Sequence, residues 1–214
     1  MTFNLTNPPI EVEAKFLGGY AEFGRILSWL SGQKGFECVR KAVVHRIHVY
    51  FDDGSRLKEI GCRFRCVIAP GEWCRYDFKA DDNSGATLEV SIKKDMPAAL
   101  PEVIDQLVEK VPEGEARQRL ADVRATARMV LALVGKHQKA LLRGPALELE
   151  VSWDVLSSLE SGATISEVEV ELVSGERRDF ENCAALMAHE VKLERVYESK
   201  LDRLLGASAH KTIT

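Results

Sequence analysis

The stretch Glu11-Val12-Glu13-Ala14-Lys15 near the start of the chain alternates charged with small apolar side chains. Successive side chains of a β-strand point to opposite faces of the sheet, so Glu11, Glu13 and Lys15 would share one face. Two carboxylates and an ammonium then form one charged row. We therefore predict a strand over residues 10–16 with a charged face and an apolar face.

Four later stretches repeat this alternation of charged and apolar residues. They are residues 62–66, 74–79, 147–154 and 167–172. A sheet with one charged face usually turns that face to water. Here the charges of each sign are grouped, with arginines and lysines in the middle stretches and carboxylates in the late ones. Such separate blocks suit a polyanion and the metal ions that accompany it.

The bulk composition is that of an ordinary globular protein. The chain has 214 residues, 45% of them hydrophobic and 29% charged, and a formal net charge of −4. This length allows a single domain, which we predict over residues 1–214 with a core of about 9–205. The acidic balance argues against a nucleic-acid partner. The five cysteines form no CxxC pair, and neither a secretory signal nor an apolar run long enough for a membrane span is evident, so we expect a cytoplasmic protein without a membrane partner.

The order of hydrophobic patterns predicts mainly strands. Helical spacing of apolar residues appears in three places, and short turn motifs separate the alternating stretches. Strands are predicted over residues 10–16, 37–51, 61–69, 72–80, 86–93, 129–135, 146–154 and 165–173, and helices over about 21–32, 115–122 and 177–191. A further helical segment is predicted around residues 104–111. Residues 136–139 are interpreted as a solvated turn, and the tail from Gly206 as polar and mobile.

About eight strands with few helices predict an α+β chain that is mainly β. Because each strand has one charged face, a closed antiparallel eight-stranded barrel would give these faces a common interior and remove the sheet edges. A few helices would flank this barrel.

The motifs resemble those of the CYTH domains, also called triphosphate tunnel metalloenzymes. The resemblance begins at Glu11-x-Glu13-x-Lys15 and continues in order along nearly the whole chain. It includes Tyr50-Phe-Asp52-Asp53, Arg63-x-Arg65, Phe78-Lys79, the acidic run from Glu167 to Glu171, and Ser199-Lys200 with Arg203. The resemblance implies a β-barrel tunnel that binds a triphosphate.

Binding a triphosphate requires several cations, because many negative charges lie within a few ångströms. Guanidinium groups grip phosphate oxygens in bidentate fashion, and lysines act as point charges. The predicted phosphate-binding residues are Lys15, Arg63, Arg65, Lys79, Arg128 and Lys200. For any single one of them, a solvated charge or a surface ion pair is the competing interpretation.

Hydrolysis also requires metal ions, for which carboxylates are the predicted ligands. Mg²⁺ and Mn²⁺ prefer oxygen ligands, and clustered carboxylates without a cation would repel one another. The predicted ligands are Glu11, Glu13, Asp154, Glu169 and Glu171, and Asp154 is included because the family resembles this chain in an acidic residue there. Glu167 shares the face of Glu169, but we interpret it as a residue of the tunnel mouth. The competing interpretation is an acidic patch at the barrel rim.

These residues together predict a metal-dependent triphosphatase. Its substrate would be inorganic triphosphate or an organic triphosphate, and Glu13 and Lys15 are the predicted catalytic residues, with Lys15 orienting or deprotonating the attacking water. A class IV-type adenylate cyclase and a non-catalytic polyphosphate- or nucleotide-binding module are the two alternatives. The predicted partner is a small-molecule triphosphate, bound by a monomer or a homodimer.

Overall fold

A computed structural model of the chain describes residues 10–54, 56–81 and 87–209. Most of these residues belong to strands. The strands are Ile10–Glu11 (β1), Glu13–Leu17 (β2), Glu37–Asp52 (β3), Cys62–Ala69 (β4), Trp73–Asp81 (β5), Thr87–Lys94 (β6), Arg128–Arg143 (β7), Glu148–Ser158 (β8), Thr164–Ser174 (β9) and Arg195–Val196 (β10).

The helices are short and few by comparison. They are Tyr20–Gln33 (α1), Leu100–Lys110 (α2), Glu115–Asp122 (α3), Arg177–Val191 (α4) and Lys200–Ala209 (α5), with one 3₁₀ turn at Lys58–Ile60. Among the described residues, no helix combines the length and the apolar character that crossing a membrane requires.

The strands form one sheet with the order β1-β6-β5-β4-β3-β7-β8-β9-β2-β10. Antiparallel pairing joins the strands β1–β6, β5–β6, β4–β5, β3–β4, β8–β9, β2–β9 and β2–β10. β1 and β10 end this order, and hydrogen bonds between described residues do not join them. The prediction of a mainly β chain with an antiparallel sheet and few helices is confirmed, whereas closure into an eight-stranded barrel is not.

The chain divides into two compact units. The first comprises the chain up to Glu11 together with Arg46–Leu133, and the second comprises Val12–His45 together with the chain from Val134 onward. The long strands β3 and β7 each contribute residues to both units.

The core of the first unit forms on the apolar face of β4, β5 and β6. Phe64 and Phe78 are buried directly opposite each other on β4 and β5. Ile104 and Leu107 of α2 belong to the same apolar cluster. Because apolar residues alternate with charged ones along β4, burying Phe64 turns its neighbours Arg63 and Arg65 to the other face.

The core of the second unit forms in the same way on β8 and β9. Val151 and Val170 are paired and buried, and the apolar sides of α1 and α4 belong to the same cluster. Gly19 immediately precedes α1, and its backbone N–H donates to the Glu22 carboxylate at 2.7 Å. This contact satisfies one of the open donors at the helix start. The opposite face of β8 and β9 carries several carboxylate side chains.

Three sequence predictions need correction. The strand predicted over residues 10–16 is interrupted at Val12, so the N-terminal motif is divided between β1 and β2. The turn predicted at residues 136–139 is wrong, because β7 continues through it to Arg143. The tail predicted from Gly206 lies partly in α5, which ends at Ala209, and residues 210–214 fall outside the described residues.

Gly135 allows β7 to approach β8 unusually closely. A Cβ atom added at Gly135 would lie 1.8 Å from the backbone carbonyl oxygen of Val155. That oxygen belongs to backbone and cannot rotate away as a side chain could. His137 lies two residues further along the same strand.

We expect Gly135→Ala to lower the free energy of unfolding by about 1–3 kcal/mol, because the methyl group must push β7 away from β8. Gly24→Ala is the matched control, since nothing lies within 4 Å of a Cβ atom at Gly24, in the interior of α1. The control should gain about 0.4–1 kcal/mol from reduced freedom of the unfolded chain. Urea unfolding of both variants measures the difference, and equal stabilities would contradict the close approach.

Candidate functional site

Three carboxylates of the second unit converge on the polar face of β8 and β9. Asp154 is paired with Glu167, and Glu169 lies two residues further along β9, opposite Ser152. One oxygen from each of the three carboxylates lies within 4.8 Å of the other two. Asp154 is buried and Glu167 is 0% exposed. Three negative charges brought so close together require a cation. We call these three residues the carboxylate cluster.

The ammonium of Lys200, the first residue of α5, lies among these carboxylates. Its Nζ atom is 2.5 Å from Asp154 Oδ2, 3.0 Å from Glu167 Oε1 and 3.2 Å from Glu169 Oε1. The guanidinium of Arg203, one turn further along α5, pairs with Glu167. The Lys200 ammonium thus lies at a position that one oxygen of each of the three carboxylates contacts. The donor set fits a hard divalent cation, which takes carboxylate oxygens as ligands.

His137 on β7 contacts the same cluster from another side. Its Nδ1 atom lies 2.6 Å from Asp154 Oδ1, and the residue is only 6% exposed. The other ring nitrogen, Nε2, is buried and has no hydrogen-bond partner among the described residues. The sequence pattern does not reveal His137, because the polar run over residues 136–139 is typical of a solvated turn.

Glu13 and Lys15 of β2 extend the charged face beside β9. Glu13 is paired with Glu171, and Lys15 with Glu169, in the antiparallel register. The Lys15 ammonium forms an ion pair with the Glu13 carboxylate. Of the predicted metal ligands, Asp154 and Glu169 therefore meet in the carboxylate cluster. Glu13 and Glu171 lie beside it as a cross-strand pair.

Glu11 belongs to the first unit, on β1. Its carboxylate pairs with the Lys79 ammonium, which also lies 3.3 Å from Glu89. Lys79 is directly opposite both Arg63 on β4 and Glu89 on β6. The structure thus brings Glu11 together with the predicted phosphate-binding residues of the first unit.

Arg63 and Arg65 lie on the same face of β4, and each one is paired with a carboxylate of β5. Arg63 makes two contacts with Asp81, of 2.5 and 2.6 Å. Arg65 Nε lies 3.0 Å from Asp77, which is 0% exposed. These arginines are therefore held in place by carboxylates, and a phosphate group would have to compete with those carboxylates for them.

Asp77 is the least exposed carboxylate among the described residues of the first unit. Arg75 contacts it at 2.7 Å, and the Ser91 hydroxyl donates to it at 2.8 Å. Burial alone would raise the pKa of Asp77. The ion pairs with Arg65 and Arg75, together with the hydrogen bonds from Arg75 and Ser91, outweigh this effect and lower the pKa of Asp77. For Arg65, burial opposes the charged form, yet the Asp77 carboxylate raises the pKa of the guanidinium well above its usual value.

Arg128 and Lys200 complete the set of predicted phosphate-binding residues. Arg128 is the first residue of β7 and is exposed. Lys200 lies in the carboxylate cluster of the second unit, where it neutralises carboxylates.

We expect Arg65→Ala to lower the free energy of unfolding by about 3 kcal/mol at neutral pH, because it removes one of two cations from a buried carboxylate. The lowered pKa of Asp77 means that its contribution to stability is present above the unfolded-state pKa of about 4 and is lost as the pH falls through the folded-state pKa. The difference between wild type and variant should therefore shrink in acid. Urea unfolding at pH 7 and pH 3 measures this change.

Arg124→Ala is the control for that prediction. Arg124 forms a two-contact ion pair with Asp105, but about half of each side chain is exposed. Exposed ion pairs contribute little to stability, so this variant should unfold like wild type at both pH values. A loss in Arg65→Ala no larger than that in the control would contradict the role assigned to the buried pair.

Comparisons with known proteins support the fold. No family model and no curated protein matches the chain. Among solved structures, a candidate adenylate cyclase from Bacillus halodurans superposes with a TM-score of 0.59 and 19% identity, over 90% of this chain and 96% of that chain. The PH1819 protein from Pyrococcus horikoshii gives a TM-score of 0.55 and 18% identity, over 92% of this chain and 99% of that chain.

A third similar structure is HpAC1 from Hippeastrum, a candidate adenylyl cyclase that shows a dominant triphosphatase activity. It gives a TM-score of 0.54 and 13% identity, over 92% of this chain and 95% of that chain. At such identities the likeness concerns the fold alone. The chain has the CYTH-type fold of adenylate cyclase-like proteins and triphosphatases, which confirms the resemblance carried by its motifs.

Proposed function

We propose that this chain is a metal-dependent triphosphatase that cleaves a phosphoanhydride bond of inorganic triphosphate or of a small organic triphosphate. The observation that carries the proposal is the carboxylate cluster with the Lys200 ammonium at its centre. A face built only to bind a polyanion would need cations alone. Buried carboxylates arranged around a cation are what a metal-dependent hydrolase needs in addition.

Asp154, Glu167 and Glu169 are the proposed metal ligands. Glu13 and Glu171 lie beside them on paired strands and are candidates for further ligation. A Mg²⁺ or Mn²⁺ ion bound there would neutralise phosphate oxygens and favour attack by water. The Lys200 ammonium lies at this position. Binding of a metal ion therefore requires the ammonium to move away or to share the carboxylates with the ion.

Arg63, Arg65 and Lys79 are the proposed phosphate-binding residues. Each is largely shielded from solvent and already oriented by a carboxylate. Binding a phosphate therefore costs little further loss of side-chain freedom, but the phosphate must compete with that carboxylate. Their positive charge would hold the leaving phosphates through charge-assisted hydrogen bonds. Lys15, paired with Glu13, is the proposed group that orients the attacking water. Closure of the sheet into a tunnel belongs to this proposal, as the resemblance implies.

The first test is hydrolysis of inorganic triphosphate, which has neither base nor sugar. We expect orthophosphate release in the presence of Mg²⁺ or Mn²⁺ and none after chelation of the metal, because the leaving charge is then not neutralised. Phosphorus NMR of the products, with ATP and thiamine triphosphate as further substrates, identifies the bond that is cleaved. Absence of hydrolysis for all three substrates with both metals would refute the proposal.

The second test uses the carboxylate cluster. Glu169→Gln should lower the rate by about two to three orders of magnitude, because a lost metal ligand removes several kcal/mol of transition-state stabilisation. Glu160→Gln, in an exposed turn, is the matched control and should be fully active. Steady-state rates at saturating metal measure both, and an unchanged rate in Glu169→Gln would remove Glu169 from the site.

The alternative is a class IV-type adenylate cyclase, favoured by the likeness to candidate adenylate cyclases. A cyclase would use the ribose 3′-hydroxyl in place of water, and would release pyrophosphate and cyclic AMP from ATP. If these products appear while inorganic triphosphate stays intact, the cyclase replaces the triphosphatase as the proposed function.

A further inference from the structure

His137 is a buried histidine with a partner on only one ring nitrogen. A residue needed only to fill the core at this point of β7 would pack as well with an apolar side chain, and would leave no polar atom buried without a partner. The imidazole Nε2 is such an atom among the described residues, while Nδ1 is 2.6 Å from Asp154 Oδ1. The contact with Asp154 is therefore the feature that distinguishes His137 from a core residue.

The two oxygens of Asp154 have different partners. Oδ1 faces His137, and Oδ2 faces the Lys200 ammonium at 2.5 Å. A carboxylate beside an ammonium only accepts hydrogen bonds, so Nδ1 of His137 must be the donor. Rotation of the Asp154 carboxylate about its Cβ–Cγ bond would break both contacts at once. The carboxylate is thus held in one orientation.

We propose that His137 is a positioning residue that fixes Asp154 as a one-oxygen ligand of the divalent cation. Its Nδ1–H donates to Oδ1 and leaves Oδ2 as the oxygen that meets Glu167 and Glu169 at the cation position marked by Lys200. This inference rests on the metal centre of the proposed function. It adds a residue from β7 to a site whose ligands come from β8 and β9.

The tautomer that this role requires also explains the second ring nitrogen. With its proton on Nδ1, a neutral imidazole has a lone pair on Nε2, which can accept a hydrogen bond from a water molecule or a hydroxyl group brought by a ligand. Only Nδ1 faces Asp154. Variants that retain a donor near the position of Nδ1 or near that of Nε2 therefore test the Asp154 contact separately from the rest of the ring.

The test is direct binding of Mn²⁺, measured by electron paramagnetic resonance of the free ion, without any substrate. Asparagine places its amide nitrogen near the position of Nδ1, and glutamine places its own near Nε2. We expect His137→Ala and His137→Gln to bind Mn²⁺ at least about tenfold more weakly than wild type, as loss of an outer-shell partner typically causes. His137→Asn should bind close to wild type, because its amide can still donate to Asp154.

Two further variants serve as references for the Mn²⁺ affinities. Asp154→Asn removes the ligand itself, so the binding lost in this variant is the part that belongs to the carboxylate cluster. Adding His137→Ala to Asp154→Asn should cause no further loss, because the two residues act through one contact. His189→Ala, an exposed histidine of α4, is the matched control and should bind Mn²⁺ like wild type. Thermal unfolding without metal shows whether each variant is folded.

Wild-type affinity in His137→Ala would overturn the inference, and so would equal weakening in His137→Asn and His137→Ala. A wild-type chain that binds no Mn²⁺ through Asp154 overturns it as well. If His137→Ala does not fold, the Mn²⁺ affinities of His137→Asn and His137→Gln are compared instead, and equal affinities overturn the inference. The proposed function fails separately: the expected order of Mn²⁺ affinities without hydrolysis of any triphosphate would refute the triphosphatase and keep the role of His137.

Discussion

The contact between the Lys200 ammonium and three carboxylates, of which Asp154 and Glu167 are buried, is the interaction on which the second unit depends. Asp154, Glu167 and Glu169 lie side by side because β8 and β9 pair in a register that serves the apolar core on their other face. Bringing three like charges together where two of them are buried is unfavourable unless opposite charge lies among them. Lys200 provides that charge, supported by Arg203. Core packing and charge compensation are therefore coupled through the same two strands.

The first unit solves the same problem with different residues. Asp77 is a buried carboxylate of this unit, and its compensating cations are Arg65 and Arg75 on the strands β4 and β5. Here two cations flank one carboxylate, and Arg65 is one of the residues that we propose for phosphate binding. In both units, paired charges that stabilise the fold are also the groups proposed to act on the substrate. A substitution that removes such a charge alters stability and binding together.

The sequence predicts much of this arrangement, because alternation of charged and apolar residues determines which face of a strand is polar. It does not determine which charges along that face come together. Glu167, Glu169 and Glu171 are equivalent in pattern, and only the pairing of β9 with β8 places Glu167 beside Asp154. His137 could not be found because a run of four polar residues is typical of a turn. Its burial follows from the packing of β7 in the folded chain, which is a tertiary effect.

The position of Lys200 late in the chain has a consequence for synthesis. On the ribosome, β8 and β9 are made before α5, so the three carboxylates exist for a time without their ammonium. At translation rates of about 5–20 residues per second, the 31 positions from Glu169 to Lys200 take about two to six seconds. During that interval the charged face must stay hydrated or recruit a cation from solution, since burial without one is costly. Completion of the second unit is thereby delayed until the cation of α5 has been translated.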